Sequence, residues 1–157
     1  MKITLLAVGK TDAEYLQKGI ADYSARLAHY LPFSLVTLPD VRNSRGMSEE
    51  TQRQQEGRLI LSQVETSDTL VLLDEGGAQF TSRQFAQFFV KMSSTGTRRV
   101  VFVIGGPYGF SADVYARANH KVSLSPMTFS HQMVRLIFVE QLYRAQTILR
   151  GEPYHHD

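Results

Sequence analysis

Three short stretches combine glycine or proline with small polar residues in a way that suits contact with a ligand: "LLDEGG" at 72–77, "IGGPYG" at 104–109 and "SLSPMTFSH" at 123–131. Glycine lets the backbone approach a bound group closely and proline fixes φ, so such turns are rigid and open to contact. None of the three contains Lys or Arg. A nucleoside triphosphate asks for a P-loop with its lysine and a dinucleotide for a GxGxxG turn, and neither accompanies these residues. Asp74 and Glu75 would also repel a phosphate set beside them. What the stretches offer is backbone amides and carbonyls, Ser and Thr hydroxyls, and apolar walls at Leu73, Leu124, Met127 and Phe129. Such a lining suits a neutral or cationic ligand with an adenine-like face, and S-adenosylmethionine is one.

Each stretch follows a run that reads as a strand. Apolar segments rich in β-branched residues recur at 3–8, 33–38, 69–73, 100–104 and 122–124. Helical patterns separate them. Leu16, Ile20, Tyr23, Leu27 and Tyr30 form one stripe of a helix expected to start at a capping box of Thr11 and Glu14. A second capping box, Thr81 with Gln84, opens a helix carrying Phe85, Phe88, Phe89 and Met92. Ser111 caps a short helix to about Asn119, and the last helix runs from about Ser130 to Arg150, where Gly151 stops it. The obvious loop is "PDVRNSRGM" at 39–47. Strands too apolar to leave one face wet, alternating with helices, imply an α/β fold: a mostly parallel sheet with helices on both faces. In such sheets ligands bind outside the carboxyl ends of the strands, which is where the three stretches lie. The last helix is apolar nearly all round, so it is covered on more than one side, and a homodimer is the favoured reading.

Composition is consistent with this. The 157 residues read as a single domain, 1–157, with one core. No run approaches the length of a membrane span, and the opening "MKITLLAVGKTDAEY" lacks the apolar core of a signal peptide. With no cysteine, disulfides and thiolate metal sites are excluded, which suits a cytoplasmic protein with neither membrane nor metal partner. The net charge is +2, unevenly spread: residues 1–90 carry 9 Lys/Arg against 11 Asp/Glu, and residues 91–157 carry 8 against 4. The basic C-terminal part points either to an anionic partner or to ordinary solvated faces.

"IGGPYG" at 104–109, "LSPMTFSHQMVR" at 124–135 and "EQLYRAQTILRGEPYHH" at 140–156 closely resemble the ribosomal RNA large subunit methyltransferase H family of the SPOUT superfamily. The likeness extends to "MKITLLAVGK" and to the chain length. It implies a SAM-dependent enzyme that methylates N3 of a pseudouridine in the helix 69 loop of 23S rRNA on assembled 70S ribosomes. It also implies a homodimer and a C-terminal trefoil knot, which general rules of chain topology would not have suggested. By motif position, the cofactor pocket uses Leu73, Gly105, Leu124, Ser125, Pro126, Met127, Thr128 and Phe129. The family's tail carries a basic residue after Tyr-His, where this chain has His156.

Within that resemblance the catalytic candidates are Tyr154, His155 and Arg135: Tyr154 and His155 are a polar aromatic pair on the short tail, with Tyr154 orienting or stacking on the target and His155 accepting the N3 proton at a composite dimer site. Arg135 and Arg144 are either snorkelling or ion-paired arginines, Glu140 standing four residues before Arg144, or contacts to RNA phosphate. His131 caps or orients its loop. Arg42, Arg45, Arg53 and Arg58 read as surface residues. The alternatives are a non-catalytic RNA- or ribosome-binding module of the same fold, marked by failure to bind SAM, and a flavodoxin-like enzyme for a phosphate-bearing ligand.

Overall fold

Apolar residues facing both ways along each strand set the layering. The computed structural model describes residues 1–42 and 44–157; Asn43, within the 39–47 loop, lies outside the described residues. Its elements are β1 (Lys2–Val8), α1 (Glu14–Leu27), β2 (Phe33–Leu38), α2 (Glu49–Ser62), β3 (Thr69–Gln79), α3 (Ser82–Ser94), β4 (Arg99–Ile104), α4 (Ala112–Arg117), β5 (His120–Ser123) and α5 (Met133–Leu149). The five strands form one parallel sheet in the order β2-β1-β4-β3-β5. Ile3, Leu5, Ala7, Val71, Val100, Phe102 and Ile104 pack on one face against Phe85 and Phe89 of α3 and Phe138 and Leu142 of α5. Leu6, Leu70, Leu72, Val101 and Val103 point the other way, onto Ile60 of α2 and Val114 of α4. Helices thus cover both faces, as expected.

Right-handed crossovers explain which helix goes where. The β1-to-β2 and β3-to-β4 connections step toward the β2 edge and put α1 and α3 on one face. The β2-to-β3 and β4-to-β5 connections step the opposite way and put α2 and α4 on the other.

Four local details differ from expectation. Thr11 and Glu14 make no capping box: α1 starts from Ala13 without a side-chain cap, because the Thr11 hydroxyl is taken by Arg135 Nη1 at 3.0 Å. The α2 helix had no sequence signal, since its buried positions are Glu56, Gly57 and Ile60 and so draw no apolar stripe. β3 does not end at Leu73 but bulges out over residues 74–77 and returns to β5 at Ala78 and Gln79. Gly77 is needed there, since a Cβ would stand 2.6 Å from the backbone of Lys121 and Val122. α5 begins at Met133, with its Met133 N–H capped by the Ser130 hydroxyl at 3.0 Å. The capping box of Thr81 with Gln84 and the Ser111 cap form as expected.

Candidate functional site

The bulge of β3 and the carboxyl ends of β4 and β5 enclose a cavity of about 500 Å³. Its apolar surface comes from Leu73, Ile104, Phe110, Val122, Leu124 and Phe129, and no Lys or Arg lines it. Of the residues assigned to the cofactor from sequence, Leu73, Gly105, Leu124, Ser125, Met127, Thr128 and Phe129 all line this space, while Pro126 sits in the same loop without doing so. The first wall is a tight turn: Gly109 N–H donates to the Gly106 carbonyl at 3.3 Å with Pro107 in the second position, where its fixed φ fits a β-turn. The Tyr108 carbonyl is held from α2 by Arg53 Nη1 at 3.4 Å. The second wall is residues 123–130. Ser123 Oγ donates to the Ser125 carbonyl at 3.0 Å, and the Met127 N–H donates to Ser125 Oγ at 2.9 Å. These hydroxyls shape their own loop, and Ser125 Oγ, which only accepts here, keeps its O–H as a donor. Met127 stands 75% exposed, an apolar side chain with little of the protomer against it.

The two rim carboxylates are latched across the cavity. Glu75 Oε1 accepts from the Thr128 hydroxyl at 2.7 Å. Asp74 accepts from the Tyr115 hydroxyl and, at 2.7 Å, from the Gly76 N–H. Burial, with the Asp74 bond behind it, pushes the Tyr115 phenol up to about 12, so it remains a donor. Beneath the turn lies a third carboxylate that sequence reasoning missed. Glu56 is 3% exposed, accepts from Gln52 Nε2 at 3.1 Å and lies so close under Gly106 that a Cβ there would stand 2.3 Å from its Oε2. Burial raises its pKa above the usual carboxylate range, partly offset by the Gln52 bond.

Arg135 anchors the rim from below. Fully buried at 0% exposure, it donates to the carbonyls of Val8 (2.9 Å), Gly9 (2.8 Å) and His131 (3.0 Å) and to Thr11 Oγ1 (3.0 Å). Desolvation lowers its pKa, yet an arginine starting so high stays charged. Gln132 adds two bonds to the same loop, accepting from the Asp12 N–H at 3.0 Å and donating to the Lys10 carbonyl at 2.9 Å. The start of α5 is thereby stapled to the end of β1. His131, at that junction, lines the cavity.

The tail folds back along α5 after Gly151, whose φ of +68° lets the chain reverse. The Tyr154 hydroxyl donates to Glu140 Oε1 at 3.0 Å and lies 3.2 Å from the Tyr23 hydroxyl. Burial first, then the bonds to Tyr23 and Glu140, raise its pKa, so Tyr154 stays protonated. Arg144 stacks 4.8 Å over the Tyr154 ring and pairs with Glu140 at 2.7 Å, the four-residue spacing expected from sequence. His155 Nδ1 is 3.2 Å from Arg144 Nη1 and its Nε2 is 3.1 Å from Asp157 Oδ1. Arginine only donates, so Nδ1 is the acceptor and the ring proton sits on Nε2. Asp157 in turn pairs with Arg83 at 2.7 Å. No residue of 151–157 lines the cavity, so within one protomer the tail and the pocket are separate features.

Much of the basic C-terminal excess is used internally. Besides Arg135 and Arg144, Arg99 pairs with the buried Asp68, and Arg117 Nη2 donates to the carbonyls of Glu65 and Asp68 at 2.8 and 2.9 Å. Among the described residues there is no cluster of His, Cys, Asp or Glu fit to hold a metal, and no helix long and apolar enough to cross a membrane.

A family model described as "Predicted SPOUT methyltransferase" matches residues 1–155. The ribosomal RNA large subunit methyltransferase H of Parabacteroides distasonis is 55% identical over 157 residues, all of both chains. The chain belongs to the ribosomal RNA large subunit methyltransferase H family of SPOUT methyltransferases. Proteins of the same name from Christiangramia forsetii (55% identical, 99% of each chain) and Porphyromonas gingivalis (53%, 100% of each) are similarly close.

Proposed function

We propose that this chain is a SAM-dependent methyltransferase acting on N3 of a pseudouridine in the helix 69 loop of 23S rRNA, in the cytoplasm, on assembled 70S ribosomes and as a homodimer. The observation that carries the proposal is the cavity between the β3 bulge and the ends of β4 and β5. Its apolar walls and backbone-rich turns suit an adenine, and its lack of cationic lining suits a donor with a net positive charge better than a phosphate ester. The residues fit the group: Gly105 and Gly106 bring main chain to the cavity without side chains, while Leu73, Leu124 and Phe129 offer an apolar slot. S-adenosylmethionine, bound there, supplies an electrophilic methyl on a sulfonium sulfur.

In-line displacement demands alignment above all, and the rigidity of the 104–109 turn and the 123–130 loop serves it. Arg135 acts as a positioning residue, holding the β1 end against the start of α5. The N3 proton must also leave. Tyr154, kept protonated, orients the target through its hydroxyl or ring. His155 accepts the proton at Nδ1, which requires that Arg144 release that atom when the substrate arrives. The tail lies outside its own protomer's cavity, so in this reading it serves a composite site at the dimer interface, where the exposed Met127 would also be covered. The test is His155→Ala. Turnover on ribosomes should fall at least about a hundredfold, the lower range for lost general-base catalysis, with SAM affinity unchanged. Full turnover with normal SAM affinity would remove His155 from the chemistry.

A further inference from the structure

Glu56 belongs to no part of the mechanism above, yet it is a buried carboxylate one peptide away from the cavity. It enters from α2, the helix without an apolar stripe, and comes to lie beneath Gly106. Gly106 itself lines the cavity. A buried carboxylate is costly and is ordinarily paired with a cation. Among the described residues Glu56 makes no salt bridge. Its hydrogen-bond partners are the amide of Gln52 on its own helix and the Gly106 backbone. The titratable groups that face it are Asp40, from the β2–α2 connection, and His131, from the turn before α5. Neither is a permanent cation. The carboxylate stands behind the Gly105–Gly106 backbone, where burial raises its pKa, and glycine at 106 leaves the space it needs.

We propose that Glu56 is a specificity determinant that favours a cationic methyl donor over its neutral product, its charge acting across the Gly106 peptide. The inference rests on the reading of the cavity as the S-adenosylmethionine site. The donor carries a sulfonium, an ammonium and a carboxylate, net +1. Loss of the methyl turns the sulfonium into a thioether, and the product is net neutral. When ionised, a carboxylate in a partly desolvated wall attracts the first and is indifferent to the second. Asp74 and Glu75 add to the same field, but both are exposed to the cavity mouth and bound to Tyr115 and Thr128. Glu56 is shielded from solvent, so its effect is screened least.

The experiment is calorimetric titration of wild type and Glu56→Gln with S-adenosylmethionine, S-adenosylhomocysteine and sinefungin, which carries an ammonium where the donor has its methylsulfonium. At neutral pH the variant should bind the two cationic ligands roughly five- to tenfold more weakly, as expected for one charge acting across a peptide layer at an intermediate dielectric, and the product within about twofold of wild type. Glu56→Met, apolar and of similar length, gives the same ratio test should the Gln variant fold poorly. As the pH falls, the preference of wild type for donor over product should shrink toward that of the variant. Because His131 is present in both proteins, their difference isolates Glu56. Equal weakening of all three ligands would assign Glu56 a purely structural role and overturn the inference, as would an unchanged ratio. Failure of wild type to bind any of the three would overturn the reading of the cavity itself, and this inference with it.

Discussion

Replacing Arg135 by methionine tests whether this residue is a structural anchor or a hand for RNA. The substitution keeps the length and removes every donor. It strips partners from three carbonyls, those of Val8, Gly9 and His131, and from the Thr11 hydroxyl. Each buried acceptor left unsatisfied costs about 1–3 kcal/mol. Against this, methionine is spared the burial of a charge, which recovers part of the loss. The net destabilisation is about 3–5 kcal/mol. For a domain of this size each kcal/mol moves the melting temperature by about 2–4 °C, so the midpoint should fall by about 10 °C. Differential scanning calorimetry reads it directly. Because the lost contacts join the start of α5 to the end of β1, donor affinity measured at 15 °C should fall as well. Arg135→Lys should recover part of both, since an ammonium reaches some of the carbonyls but lacks the planar fork. A methionine variant with an unchanged midpoint and normal donor affinity that nonetheless fails on ribosomes would refute this reasoning and place the guanidinium on RNA.

Gly106→Ala puts a Cβ 2.3 Å from Glu56 Oε2, so the turn must shift; donor affinity should fall more than tenfold with a smaller loss of stability, read by calorimetry and thermal melting. Gly77→Ala drives a Cβ into the β5 backbone and should cost about 2–4 kcal/mol in denaturant unfolding, in the range of buried strain and overpacking. Arg99 holds the Asp68 carboxyl below its usual range; this depressed pKa adds stability above the unfolded value and loses it as pH falls through the folded one. Arg99→Ala should therefore raise the midpoint of acid unfolding and leave a shallower dependence of stability on pH below about 4. Tyr115→Phe frees Asp74 and should cost about 0.5–1.5 kcal/mol, with turnover kept if the phenol is only a latch.

The sheet was legible because its strands are apolar on both faces, a pattern that fits few architectures other than a covered parallel sheet. Leu6, Leu70, Leu72, Val101 and Val103 bear it out from one side and Leu5, Val71 and Phe102 from the other. The cavity was legible chiefly through Gly105, Gly106, Pro107 and Gly109, which mark where backbone must lie open after β4; Gly77 instead answers to the backbone of β5, and Pro126 does not line the space. Missed features share a physical cause. α2 buries Glu56 and Gly57, so its inward face has no hydrophobic period, and the buried carboxylate vanished with the helix that carries it. Thr11 and Glu14 have the spacing of a capping box, but a buried arginine competes for the threonine hydroxyl through a contact 124 residues distant in sequence. The charge excess after residue 90 left open an anionic partner or ordinary solvated faces; the structure spends Arg99, Arg117, Arg135 and Arg144 on internal carbonyls and carboxylates. Side chains of that kind look identical in a sequence whether they face water or a buried carbonyl.

The most direct test of the proposed activity is transfer of tritiated methyl from labelled S-adenosylmethionine to ribosomal material from a strain lacking this protein, comparing 70S particles with free 23S rRNA. Label confined to N3 of a pseudouridine in the helix 69 loop, and appearing on 70S particles only, is the expected result. No label on either substrate from a protein that also fails to bind S-adenosylmethionine would contradict it, and leave a ribosome-binding module in its place.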